Sequence, residues 1–467
     1  MTASTGEFRR EAAVAVADAH LQAALETATG RFRTAREIVL AELPDADRLR
    51  DHLKAVRAAT IANLAGYLEQ FEQNATAAGA HVHWARDAAE ASAIVTRLAR
   101  ERGVTLAAKS KSMATEEIHL NDALLAAGVT PVETDLGEWI LQLAGEPPYH
   151  IIAPAIHKTR DQVAALFVQE TGAPLPDDNI PTLTATARRE LRQRFLDAGM
   201  GISGGNIAVA ETGSIVLVTN EGNGRMVTSL PPVHVAVIGI EKVAPTWNDA
   251  AAWLALLARS ATGQPLSIYT TVITGPARAG DPDGPEEVHV ILLDNGRSRL
   301  LDTAYEEILQ CIRCGACLNI CPVYREAGGH AYASPYSGPI GAVITPLLFG
   351  VENYPALPHA STLCGACQDV CPVRIDLPRM LLELRAEEVR HGLASTTESL
   401  LEKGAAFVLA HERLLRLGRG ALALGQKPLV RNGQIRLPAA LNPARERDLP
   451  SFAPRSFHQL WEELQDE

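Results

Sequence analysis

Cys311, Cys314, Cys317 and Cys321, with Pro322 behind them, are spaced C-x2-C-x2-C-x3-C-P. Cys364, Cys367 and Cys371, with Pro372 behind them, repeat that spacing, with Ser361 at the first position. All seven cysteines of the chain lie in these two runs. Soft thiolates at this spacing ligate iron–sulfur clusters, and the fourth Cys of such a run serves a second cluster. Zinc is the other reading of paired C-x2-C units. Two runs of this spacing, each with a trailing proline, fit it poorly. Crossed ligation puts Cys311, Cys314, Cys317 and Cys371 on one cluster and Cys321, Cys364 and Cys367 on the other. Two [4Fe–4S] clusters are expected. The second lacks a fourth Cys, which leaves that iron to Ser361, to His359 or to solvent, or leaves a [3Fe–4S] centre. Gly315-Ala316 and Gly365-Ala366 let backbone amides approach the sulfurs.

Other residue types offer weaker chemistry. Lys109-Ser110-Lys111-Ser112 follows a β-rich run and precedes a helical one, with Thr115 as the expected N-cap. Such a turn can bind a carboxylate or phosphate; a capped, solvated loop is the plain alternative. Asn206, Glu211 to Ser214 and Asn220 to Arg225 form a carboxamide- and glycine-rich set that also reads as hairpin chemistry. Arg225 is its best carboxylate ligand, because a guanidinium binds two oxygens at once. Lys109, Lys111 and Arg225 are therefore the candidate anion site. Glu133, Asp135 and Glu138 could supply a base, or merely decorate a helix start. No G-x-G-x-x-G follows a strand, so a nucleotide fingerprint is lacking.

The elements that must position these residues fall into four stretches. Residues 1–90 have helical periodicity, with Leu49, Leu53, Val56, Ile61, Leu64 and Leu68 on one face and Pro44 as a break. Residues 91–300 hold β-rich runs at 104–108, 129–133, 150–154, 207–210, 214–219, 233–238, 268–273 and 288–293. The early runs alternate with helical stretches and the later ones crowd together. This predicts an α/β domain with a mixed, largely parallel sheet. Residues 301–385 carry the cysteine runs among helices. Residues 386–467 are helical to about 424, then Pro- and Arg-rich, with an amphipathic piece at 457–464. Both terminal regions have apolar periodicity without site chemistry and are expected to dock partners.

At 467 residues the chain exceeds one ordinary core, and 47% hydrophobic residues suffice to fill several. A net charge of -12 argues against nucleic acid as a main partner. No apolar run approaches 18 residues, so no membrane insertion is expected. The first residues do not read as a secretory signal, and thiols gathered at metal spacing suit a reducing cytoplasm.

The segments KSKSMATEEIHLNDALLAAGV, ETDLGEWILQLAGEPPYHIIAPAIHKTRDQVAALF and AETGSIVLVTNEGNGRMVTSLPPVHVAVIGIEKV, the two cysteine runs and the tail RDLPSFAPRSFHQLW together resemble the lactate-utilisation protein B family. The resemblance covers nearly the whole chain, in order. It implies a middle domain folded like CoA transferases and sugar-phosphate isomerases, followed by a helical dicluster ferredoxin domain. It implies a cytoplasmic electron-transfer subunit that works with companion lactate-utilisation proteins A and C to oxidise L-lactate to pyruvate. Glu211 falls where CoA transferases of similar fold carry a reactive carboxylate. Two other readings remain open: an α/β domain that itself binds and oxidises substrate, and a scaffold or redox sensor without turnover.

Overall fold

The computed structural model describes residues 4–393, 396–435, 449–453 and 455–466. They form two compact units, Met1–Glu388 and Val389–Glu467.

The first unit is built on a six-stranded parallel sheet. Its order is His81–Ala85, Glu287–Leu293, Val233–Gly239, Met200–Ser203, Leu106–Lys109, Thr130–Glu133. All seven residues of Val233–Gly239 are buried, as a central parallel strand covered on both faces requires. On one face Val95 and Leu98 of helix Ala88–Glu101 and Leu120 and Leu124 of helix Leu120–Ala126 pack with Ile202, Val235, Val237 and Ile291. On the other, Ala236, Ile238, Val290 and Leu292 join a larger core that includes Phe71, Val216 and Trp253. A second, mixed sheet orders Val243–Ala244, Ile207–Val209, Ser214–Thr219 and Tyr269–Ile273. The fold is thus the expected α/β with a largely parallel sheet.

Three local expectations are corrected. His81–Ala85 is not helical but an edge strand beside Glu287–Leu293, and Met200–Ser203 is a further central strand. Residues 150–154 form bends, not a strand. The Tyr149 amide donates to Pro154 O (3.0 Å) and His150 Nδ1 accepts the amides of Ile152 (3.1 Å) and Ala153 (3.3 Å), which closes a loop.

Four helices precede the sheet: Thr5–Ala17, Ala19–Ala41, Ala46–Ala62 and Leu64–Ala77. The break near Pro44 falls between the second and third. The second unit holds helices Thr396–Ala410, Glu412–Gly425 and Phe457–Asp466, with three two-residue antiparallel strands. Residues 436–448 of the Pro- and Arg-rich tail lie outside the described residues. Among the described residues no helix is long and apolar enough to cross a membrane.

Candidate metal centre and the adjoining cavity

The two cysteine runs fold as one backbone motif used twice. In the first, Arg313 (φ 58°) and Gly315 (φ 74°) take left-handed conformations; in the second, Leu363 (φ 54°) and Gly365 (φ 83°) do the same. Each glycine opens a five-residue helix, Ala316–Ile320 or Ala366–Val370, and each helix stops at a Cys followed by Pro. Glycine suits Gly315 and Gly365 because left-handed backbone costs least without a Cβ, whereas Arg313 and Leu363 adopt it with one. The short helices pack on each other and bring the runs together.

The thiols fall into two sets by their mutual electrostatics. Burial pushes Cys314 up to about 12, with the charge of Cys371 next in effect and that of Cys311 behind the opposing Ala316 amide. Burial raises Cys371 to about 11, with Cys311 adding to it. Cys317 is raised by burial, then by Cys314 and Cys311. In the other set, burial lifts Cys367 to about 12, helped by Cys321 and Cys364. Cys364 is exposed and is held below the usual thiol range, first by the Ala366 amide and then by the Thr362 hydroxyl. Cys317 also feels Cys367, so the sets adjoin. Buried thiols that raise one another are a donor set matched to a multivalent iron centre, whose binding replaces the protons. The residues therefore fit iron–sulfur clusters.

The surroundings of the sets were not legible as site chemistry. Arg50 of helix Ala46–Ala62 donates to Asp369 O (2.5 Å) and Cys371 O (2.9 Å). Lys54 reaches Arg374 O (3.1 Å), and Arg36 of the preceding helix reaches Val370 O (2.8 Å). Arg57, 1% exposed, donates to Val243 O (2.8 Å), Glu241 O (2.5 Å) and Leu309 O (2.8 Å), and its guanidinium lies 4.3 Å from the Trp253 ring centroid. The N-terminal helices are thus part of the metal centre's frame, not a region without site chemistry. Positions 50, 54 and 57 put cations one helical turn apart beside the buried Leu53, but a solvated helix face carries the same spacing, so the sequence did not mark them.

His359 Nε2 pairs with Glu388 Oε2 at 2.7 Å. Ser361 Oγ accepts the Leu363 amide at 3.1 Å, the counterpart of the Arg313 amide on Cys311 Sγ at 3.4 Å.

The expected anion-site residues do not converge. Lys109 is buried and donates to Glu133 Oε1 and Asn121 Oδ1, both at 2.5 Å. Arg225 is exposed on helix Asn223–Ser229. Lys111 alone lines a cavity of about 570 Å³ at the carboxyl ends of the parallel strands, where ligands of open α/β sheets bind. Ser112, not Thr115, caps the helix there, accepting the Thr115 amide at 3.3 Å. Glu133 is taken by Lys109, and Asp135 caps helix Leu136–Ala144 while also lining the cavity. Glu138 is 4% exposed, and burial raises it well above the usual carboxyl range. Glu211 Oε2 accepts the Trp247 amide at 2.8 Å at a helix start.

Residues the sequence reading missed complete the wall: Glu241, Lys242, Arg297, Arg313 and Tyr336. Arg297, 1% exposed, binds Glu117 through both terminal nitrogens (2.8 and 2.7 Å) and Glu241 through Nε (2.6 Å). Tyr336 Oη donates to Glu117 at 2.6 Å, and Lys242 Nζ donates to Cys311 O at 3.0 Å. The cavity and the first thiol set therefore share a wall. Burial, then the nearby Asp135 charge, push Glu221 of this lining up to about 7.

Comparison with known proteins places these parts. Residues 68–293 match the model described as LUD domain, and residues 307–375 the model described as 4Fe-4S dicluster domain. The chain is 41% identical to Lactate utilization protein B of Shouchella clausii over 99% of this chain and 98% of that one. It is 44% identical to Lactate utilization protein B of Anoxybacillus flavithermus over 93% and 92%. It is 40% identical to the Uncharacterized electron transport protein YkgF of Escherichia coli (strain K12) over 99% and 98%. Such identity, sustained across the sheet, the cysteine motif and both terminal regions, means that the chain belongs to the lactate utilization protein B family.

Proposed function

We propose that this chain is the iron–sulfur electron-transfer subunit of a multi-protein system that oxidises L-lactate to pyruvate. The observation that carries the reading is the sorting of seven thiols into two adjoining sets on one duplicated backbone motif. It is supported by the dicluster model that matches residues 307–375 and by relatives named for lactate utilisation and electron transport. Cys311, Cys314, Cys317 and Cys371 hold the first cluster; Cys321, Cys364 and Cys367 hold the second. When bound, two such clusters take up, one electron each, the two electrons that lactate loses. The protein's own residues shape that capacity. The loop amides and the buried setting act on the sulfurs, while Arg50 and Lys54 fix carbonyls around the second ligand loop and Arg57 fixes that of Leu309 ahead of the first. Companion lactate-utilisation proteins A and C supply the steps for which this chain shows no fingerprint, in the cytoplasm.

The test is anaerobic titration of the iron-loaded chain with L-lactate, with and without its companions, following visible absorbance. Bleaching only in the complete system supports the reading. Bleaching by the chain alone makes its α/β domain the oxidising site. Absence of bleaching in the complete system overturns the proposal.

A further inference from the structure

The cavity beside the first thiol set is too large for lactate. Its 570 Å³ lies within the range, about 300–1,000 Å³, of sites that bury drug-sized ligands. A three-carbon acid leaves most of that space to water. Its walls are largely apolar, with Ile152, Leu217 and Leu257 among them.

Three polar side chains on this wall have an atom with no hydrogen-bond partner among the described residues: Ser110 Oγ, Asn223 Oδ1 and Arg313 Nη1. All are deeply buried. Ser110 and Asn223 are 2% and 4% exposed, and the Arg313 side chain is 10% exposed. The great majority of buried polar groups in native proteins are paired, so these three, on residues that line one cavity, are donors and acceptors that a ligand's polar atoms can satisfy. Their chemistry differs. Arg313 Nη1 is a charged donor. Its other terminal nitrogen meets Glu241 only at 3.5 Å, and that carboxylate is already held by Arg297 at 2.6 Å. Asn223 Oδ1 is an acceptor and needs a hydroxyl or N–H opposite it. Lys111 adds a second cation to the wall.

We propose that this cavity binds an organic anion larger than lactate, with its acidic group on Arg313, a hydroxyl or N–H on Asn223 and an apolar body between them. The site rests on the proposed function only in that its wall includes the loop taken to hold the first cluster. Occupancy should therefore be visible in that cluster's spectrum. A carboxylate and a phosphate satisfy a guanidinium alike, so the probes must separate them.

The experiment is calorimetry on the full, iron-loaded chain under anaerobic conditions with L-lactate, L-3-phenyllactate and flavin mononucleotide. At least one of the larger probes should bind 10-fold or more tightly than L-lactate and perturb the visible or paramagnetic signature. Tighter phenyllactate binding identifies a carboxylate site and tighter mononucleotide binding a phosphate site. Arg313→Gln and Asn223→Ala should each weaken that probe about 10-fold or more, as loss of a buried charged or polar partner does. Arg313 sits in a ligand loop, so Val218→Phe is the second test: it fills the cavity from a half-buried wall position away from the cysteines. It should remove binding at unchanged iron content. The proposal is overturned if neither larger probe binds, if L-lactate binds as tightly, or if Val218→Phe leaves binding intact. Iron assayed on the same samples separates the two failures. A chain without iron fails the electron-transfer reading; an iron-loaded chain that binds no larger probe fails this one alone.

Discussion

Ser361 stands to Leu363 as Cys311 stands to Arg313: each side-chain atom accepts the amide two residues on, at 3.1 Å in the second loop and 3.4 Å in the first. The serine has inherited the geometry of a ligand position without the ligand's softness. A hydroxyl oxygen is a harder donor than a thiolate and holds cluster iron less well.

The fourth iron of the second cluster should therefore be labile. Protein purified in air should show the paramagnetic signal of an oxidised three-iron centre, and Ser361→Cys should suppress it and raise iron content. Eight irons and no such signal in air-purified wild type would refute this.

Arg50 should matter to iron retention. Its side chain is 11% exposed and holds two carbonyls of the second ligand loop. Arg50→Ala should destabilise the loaded protein by about 2–3 kcal/mol, the scale for losing charged hydrogen bonds from buried partners. Arg50→Lys should restore only part, because an ammonium cannot span both carbonyls in a fixed plane. Denaturant melts and iron assays on the three proteins check this; equal iron loss rates would count against it.

Glu221 gives a pH dependence with a definite sign. Its folded-state value is raised to about 7 from 4.5, so the folded form prefers the protonated acid. Its contribution is fully present below about 4.5 and is lost as pH rises through about 7. Glu221→Gln keeps an acceptor for the Leu136 amide, which Glu221 Oε2 accepts at 3.2 Å, and has no charge to bury. Thermal melts from pH 5 to 9 should show the variant gaining on wild type up to about neutrality and keeping that gap at higher pH. A pH-independent gap would place the shift elsewhere.

The second unit should serve partners rather than iron. Phe407, Leu409, Leu417 and Leu422 are exposed on its helices Thr396–Ala410 and Glu412–Gly425. A chain ending at Glu388 should keep its iron and lose co-purification with the companion proteins. Retained co-purification would show that the docking surface lies in the first unit.

The residues that could be read from sequence were those whose chemistry is set locally. Cysteine spacing dictates ligand loops whatever surrounds them, and Val233–Gly239 announces a buried strand by composition. His81–Ala85 was not readable as a strand, because HVHWA earns its place by pairing with Glu287–Leu293 two hundred residues away. Lys109 looked like a ligand because Lys and Ser near a strand end bind anions. Only the fold shows that Glu133, on the neighbouring strand, neutralises it. Arg57 and Arg297 carry no mark in the sequence. Their burial depends on carbonyls and carboxylates supplied by distant segments, for which one sequence carries no local sign.

Arg57 has a consequence for how the molecule lives and is cleared. Its donors are divided between Val243 and Glu241, at the edge of the α/β sheets, and Leu309, at the approach to the first ligand loop. If either side loosens, a buried guanidinium is left facing unpaired space, and the other side weakens with it. Loosening at the approach to the first ligand loop is thereby felt at the sheet edge, and the reverse. An iron-free chain should therefore be open to protease near Val243 as well as at its cysteine loops, and limited proteolysis with and without iron checks this.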